Sequence, residues 1–94
     1  MRLVGKENLV EFYIRHTDAK VAIEAWVAEV EKATWKSPLE VKLRYPKASV
    51  IQGNRFVFDI KGNKYRIDTV VAFNTAIVVV KRVGTHREYD NWKF

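Results

Sequence analysis

Directly after Val83-Gly84-Thr85 the chain places His86, Arg87, Tyr89 and Asp90, an imidazole, a guanidinium, a phenol and a carboxylate within five residues. A second concentration of polar groups lies at Lys61-Gly62-Asn63-Lys64-Tyr65-Arg66, where a turn opens into a run with cations at alternate positions. Cutting RNA without a metal uses the 2′-hydroxyl as nucleophile on its own 3′-phosphate. A base must take the hydroxyl proton, an acid must protonate the departing 5′-oxygen, and fixed cations must stabilise the crowded phosphorane. Arg66 suits the third task, because a guanidinium stays charged and grips two phosphate oxygens together. His86 is the best acid or base in the chain, imidazole being the side chain that exchanges protons near neutral pH. Were His86–Asp90 to form a helical turn, the i, i+4 spacing sets Asp90 beside the ring, where a carboxylate orients it and favours its protonated form. Tyr89 offers a proton or a stacking face. Lys61, Lys64, Arg55 and Arg87 supply positive charge for an RNA backbone.

Other chemistries lack their parts. The sequence has no HExxH or HxH spacing, no Gly-rich phosphate loop and no GxSxG elbow. It has no cysteine, which excludes disulfides and thiolate metal sites and makes a reducing cytoplasm the natural compartment. No cofactor is expected. No apolar run approaches the roughly 20 residues of a membrane span, and Met1–Glu7 lacks the apolar core of a secretion signal. Net charge is +6. Residues 1–47 hold nine Lys/Arg against seven Asp/Glu, and residues 48–94 hold eight against four, so the excess sits in the second half. A basic excess there points to a polyanion, nucleic acid before membrane.

The elements that must position these groups follow from periodicity. Ninety-four residues make one domain, 1–94, with a single core. Met1–Val4 reads as an edge strand. From about Lys6 to Arg15, Leu9, Phe12 and Tyr13 recur at helical spacing. Thr17 or Asp18 is placed to cap a second helix whose apolar stripe is Ala22, Ile23, Trp26, Val27, Val30 and Ala33. His16, in the loop between the two, reads as a surface residue. Ser37-Pro38-Leu39-Glu40 has the form of a capping box with proline in the first turn, starting a short helix that ends before Pro46. The period then changes to two. Arg55–Ile60 is a strand, Gly62-Asn63 a two-residue hairpin loop, Lys64–Phe73 the next strand, and Ala76–Gly84 a β-branched interior strand after a turn at Asn74-Thr75.

Alternation assigns faces. Phe56, Phe58, Ile60, Tyr65, Ile67 and Val71 turn to the helices, while Arg55, Asp59, Lys61, Lys64, Arg66 and Asp68 turn to an open, charged face. Arg66 is therefore expected to meet solvent. The expectation is an α+β domain in which N-terminal helices pack on a small antiparallel sheet. The residues themselves lead to an RNA-binding domain carrying groups suited to cutting.

These segments also resemble a known family. Trp35-Lys36-Ser37-Pro38, Lys61-Gly62-Asn63-Lys64-Tyr65-Arg66 and above all Val83-Gly84-Thr85-His86-Arg87-Glu88-Tyr89-Asp90 are similar to the HigB-type mRNA interferases within the RelE toxin superfamily. The likeness spans nearly the whole chain. It implies a RelE-like fold and a type II toxin that cleaves mRNA, commonly during translation in the ribosomal A site. It also implies neutralisation by a HigA-like helix-turn-helix antitoxin, in a complex that represses its own operon. By that resemblance Arg66 matches the arginine that contacts the scissile phosphate. His86 falls where many RelE relatives carry arginine, so acid, base and phosphate ligand all stay open for it. Tyr89 matches a C-terminal tyrosine at a different spacing. Two alternatives share the fold: a ParE-like inhibitor of DNA gyrase, and an RNA-binding module without catalysis.

Overall fold

The computed structural model describes residues 1–94. Strand β1 (Arg2–Val4) leads into helix α1 (Lys6–Arg15), a 3-10 turn (Thr17–Ala19), α2 (Lys20–Lys32) and α3 (Pro38–Arg44). Strands β2 (Ser49–Gln52), β3 (Arg55–Ile60), β4 (Tyr65–Ala72) and β5 (Ile77–Thr85) follow, and a short helix α4 (His86–Tyr89) ends the order. The fold is α+β, as the periodicities require. No helix is long and apolar enough to cross a membrane.

The apolar stripes do the assembling. Leu9 and Phe12 of α1, Ile23, Trp26 and Val30 of α2, and Val41 of α3 are buried against Phe56, Phe58, Ile60, Tyr65, Ile67, Val71, Val78 and Val80 of the sheet. Burying each of the larger side chains contributes roughly 1.5–3 kcal/mol, far above a surface ion pair. Those contacts fix which face meets the helices. Trp26 meets Phe58 edge-on at 5.3 Å, and Phe12 meets Tyr65 in the same way at 5.3 Å.

The sheet is larger and less uniform than the small antiparallel one expected. It has five strands in the order β1-β5-β4-β3-β2. The meander β3-β4-β5 is antiparallel as anticipated, but β1 pairs parallel with β5, making the sheet mixed. Strand β2 gave no clear signal, because four residues between Pro46 and a turn are too few to show a period. It pairs antiparallel with β3 through the two-residue loop Gly53-Asn54. The same dipeptide at Gly62-Asn63 is not a two-residue loop. Ile60 pairs with Tyr65 there, so Lys61–Lys64 form a four-residue loop, with left-handed φ values of 54° at Lys61 and 71° at Gly62.

Two helix starts also differ. Neither Thr17 nor Asp18 caps α2; Ala19 stands at its N-cap without a side-chain bond. At α3, Ser37 closes no capping box, and Glu40 instead accepts from the Lys36 N–H at 3.0 Å. The box that does close is Thr85/Glu88 at α4: the Glu88 N–H donates to Thr85 Oγ1 at 3.1 Å, and the Thr85 N–H donates to Glu88 Oε1 at 2.9 Å. Thr85-His86-Arg87-Glu88 carries the T-x-x-E signature in the sequence.

One irregularity sets the phase of everything downstream. Asp68 pairs with Arg82 but Thr69 with Val80, so Lys81 is an extra residue in β5. Strict alternation from Val78 and Val80 would send Arg82 into the core. The bulge instead keeps Val83 against the core and turns Arg82 to the other face, opposite Asp68.

Candidate active site

The second face of the sheet, expected to be open, is covered. Asp68 is fully buried. Its carboxylate accepts from Arg55 Nε at 2.7 Å and Nη2 at 2.6 Å, and from Arg82 Nε at 2.7 Å. A lone buried carboxylate costs several kcal/mol, and two guanidiniums offset that cost. The hydrogen bonds that it donates to Asp68 hold the Arg55 guanidinium above the usual arginine range. Over this triad run the last residues of the chain. Arg82 lies against the rings of Trp92 at 4.5 Å and Phe94 at 5.2 Å, and Arg55 against Phe94 at 5.2 Å. Arg55, expected to face RNA, is held by Asp68 and stays only partly exposed.

Arg66, expected to meet solvent, is buried as well. It lies in β4 between Asp59 of β3 and Gly84 of β5, and only 8% of it is exposed. The register holds, because Ile67 is fully buried on the helix side. The burial comes from α4, which folds back across the strand and lays Tyr89 over Arg66. The Arg66 guanidinium pairs with Asp59 Oδ1 through Nε at 3.1 Å, donates from Nη1 to Asn63 O at 2.5 Å and rests against the Tyr89 ring at 5.0 Å. Its plane and direction are thus fixed by three elements.

Gly84 makes that arrangement possible. A Cβ there would sit 2.7 Å from Trp92 Cζ2 and 3.2 Å from Glu88 Cβ. Without one, Trp92 and α4 close onto the strand beside Arg66. Trp92 meets Tyr89 edge-on at 5.6 Å, steadying the ring that covers Arg66.

His86 opens α4, and its backbone N–H donates to Lys64 O at 3.0 Å. The helical turn conditional in the sequence is present, and His86 Nδ1 lies 3.3 Å from Asp90 Oδ2. The imidazole is half exposed. Arg66, Tyr89 and the His86–Asp90 pair are therefore carried by β4 and a single turn of helix bonded to the start of β4. Arg87 is exposed and forms no ion pair.

Lys61 and Lys64 do not share the Arg66 face. Both reach to the 3-10 turn, where Lys64 Nζ donates to Asp18 Oδ2 at 2.5 Å and Lys61 Nζ to Asp18 O at 3.1 Å. The Tyr65 hydroxyl takes the other Asp18 oxygen at 2.5 Å. Hydrogen bonds from Lys64 and then Tyr65 hold the Asp18 carboxyl at about 2, well below the usual range. Asp18 in turn raises the Lys64 ammonium and the Tyr65 phenol. His16, expected at the surface, stacks on Phe12 at 4.2 Å and stands edge-on to Tyr65 at 5.6 Å. Asp59, Asn63, Arg82 and Trp92 received no site role from the sequence. Only the cross-strand register and the returning tail bring them to it.

Helices packed on one face of a five-stranded mixed sheet make this a small α+β domain of RelE-like architecture. The chain matches the HigB toxin family, described as the RelE-like toxic component of a toxin-antitoxin system, over residues 19–92, and belongs to that family. Among curated proteins it is similar to the "mRNA interferase toxin HigB" of Escherichia coli strain K12, with 25% identity over 92 residues covering 96% of this chain and 88% of the relative. Proteins named "mRNA interferase HigB" from Escherichia coli O157:H7 and Shigella flexneri match to the same extent.

Proposed function

We propose that this toxin is an mRNA endoribonuclease that cuts without a metal, by attack of the 2′-hydroxyl on the adjacent phosphate, on messages held in the cytoplasmic ribosome. The observation that carries the proposal is the Arg66 guanidinium oriented by Asp59, the Asn63 carbonyl and Tyr89, with His86–Asp90 on the same helical turn as Tyr89. Arg66 takes the scissile phosphate, and its charge is worth most as negative charge builds on the phosphorane. A phosphate competes with Asp59 for the guanidinium, and the displaced carboxylate is then free to accept a proton. His86 donates a proton to the departing oxygen, with Asp90 orienting the ring. Tyr89 holds the arginine plane and offers its hydroxyl or a stacking face to the substrate. Arg87, Lys61 and Lys64 add the positive potential that draws the RNA backbone, while Arg55 contributes through the Asp68 triad rather than by direct contact.

The relatives' names, mRNA interferase, support mRNA as the substrate and cleavage as the reaction. Membership of a toxin-antitoxin family implies a neutralising partner, and we assign it to a HigA-like helix-turn-helix protein. The decisive experiment incubates purified protein with mRNA on programmed ribosomes, maps cuts by primer extension and identifies the chemical groups on the new ends. Cuts that bear a 2′,3′-cyclic phosphate on one side and a 5′-hydroxyl on the other support the proposal, and cuts with a 5′-phosphate and a 3′-hydroxyl count against it. Intact message beside inhibited gyrase supercoiling would replace it with the ParE-like alternative.

A further inference from the structure

We propose that Asp18 is a positioning residue for the cleavage site, acting from the helical layer through the Lys61–Lys64 loop. The inference rests on the nuclease assignment made above. That loop presents two carbonyl groups to the site: Asn63 O holds Arg66 Nη1, and Lys64 O receives the His86 N–H at 3.0 Å. The direction of the arginine and the docking of α4 both therefore depend on where the loop stands.

Little in the loop itself decides that. All its residues are exposed, and its one internal backbone bond, from the Lys64 N–H to Lys61 O, is long at 3.3 Å. Exposed loops with few bonds open locally at small cost. The restraint comes from across the molecule. Asp18 takes Lys64 Nζ and the Tyr65 hydroxyl on its two carboxylate oxygens, and its carbonyl takes Lys61 Nζ. Both ends of the loop are thereby fastened to the 3-10 turn between α1 and α2. The turn is itself anchored by buried Ala19, and the Tyr65 ring is held by Phe12 and His16. Asp18 lies 46 residues from Lys64 in sequence, so the clamp sets a distance that the hairpin alone does not define. A displacement of about 1 Å at reacting groups costs on the order of 10²-fold in rate.

Single-turnover cleavage of ribosome-bound mRNA tests this with wild type, Asp18→Ala, Asp18→Glu, Tyr65→Phe and Arg66→Ala. Asp18→Ala is expected to lower kcat about 10- to 100-fold, with KM within about twofold of wild type. Tyr65→Phe, which cuts one of the two carboxylate bonds and keeps the ring, is expected to lower kcat several-fold, and Asp18→Glu to recover part of the loss. Adding Asp18→Ala to Arg66→Ala is expected to cost less than Asp18→Ala costs in wild type, since the part that acts through Asn63 O on Arg66 is already lost and only the part that acts through Lys64 O on His86 remains. A second readout is independent of catalysis. Asp18→Ala should shift the Arg66 Nε–H resonance and reduce hydrogen-exchange protection of the His86 amide about tenfold or more. An Asp18→Ala protein that keeps both signals, or that cuts at the wild-type rate while Arg66→Ala is dead, overturns the proposal. Should wild type itself fail to cut, the nuclease assignment falls, and the two magnetic resonance signals still decide the role of Asp18. If Asp18→Ala does not fold, Tyr65→Phe carries the same measurements.

Discussion

Arg66 combines two demands that oppose each other: a charge exposed enough to meet phosphate, and a geometry rigid enough to meet it in one orientation. The structure resolves them by burying the guanidinium against Tyr89 and pairing it with Asp59. Arg66→Ala is therefore expected to abolish growth arrest on expression and to slow cleavage on the order of 10²–10³-fold. It should also destabilise the protein by about 1–3 kcal/mol in urea titrations, because Asp59 loses its partner. Unchanged toxicity at equal expression would remove Arg66 from the site. His86 behaves differently, being half exposed and bonded to the fold mainly through its backbone. His86→Gln should leave stability within about 0.5 kcal/mol yet cost on the order of 10²–10⁴-fold in rate if the ring moves a proton. His86→Arg separates the roles: retained activity marks a phosphate ligand, and loss equal to His86→Gln marks proton transfer. Wild-type rates in both variants would make His86 structural. Asp18 carries the pH dependence. Its carboxyl sits at about 2 in the folded protein against 3.8 ordinarily, so its contribution is complete well above 3.8 and is lost as the pH falls through about 2. Acid titration of wild type against Asp18→Asn should show a stability difference that shrinks as the pH falls through 3.8 and then through about 2; a difference that stays undiminished down to pH 2 contradicts the assignment.

Helix α4 is a single turn, too short to persist alone. Its place is set by the Thr85/Glu88 capping box, the His86 N–H on Lys64 O, and the close approach that Gly84 permits. Gly84→Ala is expected to cost about 1–3 kcal/mol from overpacking against Trp92 and to cut activity more severely than that loss implies, because Tyr89 and His86 move together. Thr85→Ala should remove about 1 kcal/mol by loss of the cap. Cleavage by Gly84→Ala at the wild-type rate would show that α4 adjusts freely and that its docking is not part of the site. The same element explains a limit of alternation. Strand faces were legible from Phe56, Phe58, Tyr65 and Ile67, whose period reflects direct burial against helices. The cover on the opposite face was not, because α4 and the residues after it have no period of their own.

Across the whole molecule, charge is organised in two clamps, Asp18 on the helix side and Asp68 on the other. Asp68 is the more costly to disturb. Asp68→Ala leaves Arg55 and Arg82 facing each other without a counter-ion and is expected to destabilise the fold by about 3–5 kcal/mol, measured as a lower urea midpoint. A midpoint within experimental error of wild type would mean that the returning tail, not the triad, holds this face. Composition and period by themselves determined the fold class, the helices from Lys6 and Ser37, the β3-β4-β5 meander and the segment in which reactive groups gather, because each depends on neighbours close in sequence. They determined too little about β1 and β2, whose pairing is decided by the edges that β5 and β3 leave free. Tertiary structure alone decided the bulge at Lys81, the burial of Arg66 and Asp68, and the attachment of Lys61 and Lys64 to Asp18. Each of these joins residues on separate strands or across the helical layer, so the deciding quantity is a distance in space that no local pattern encodes.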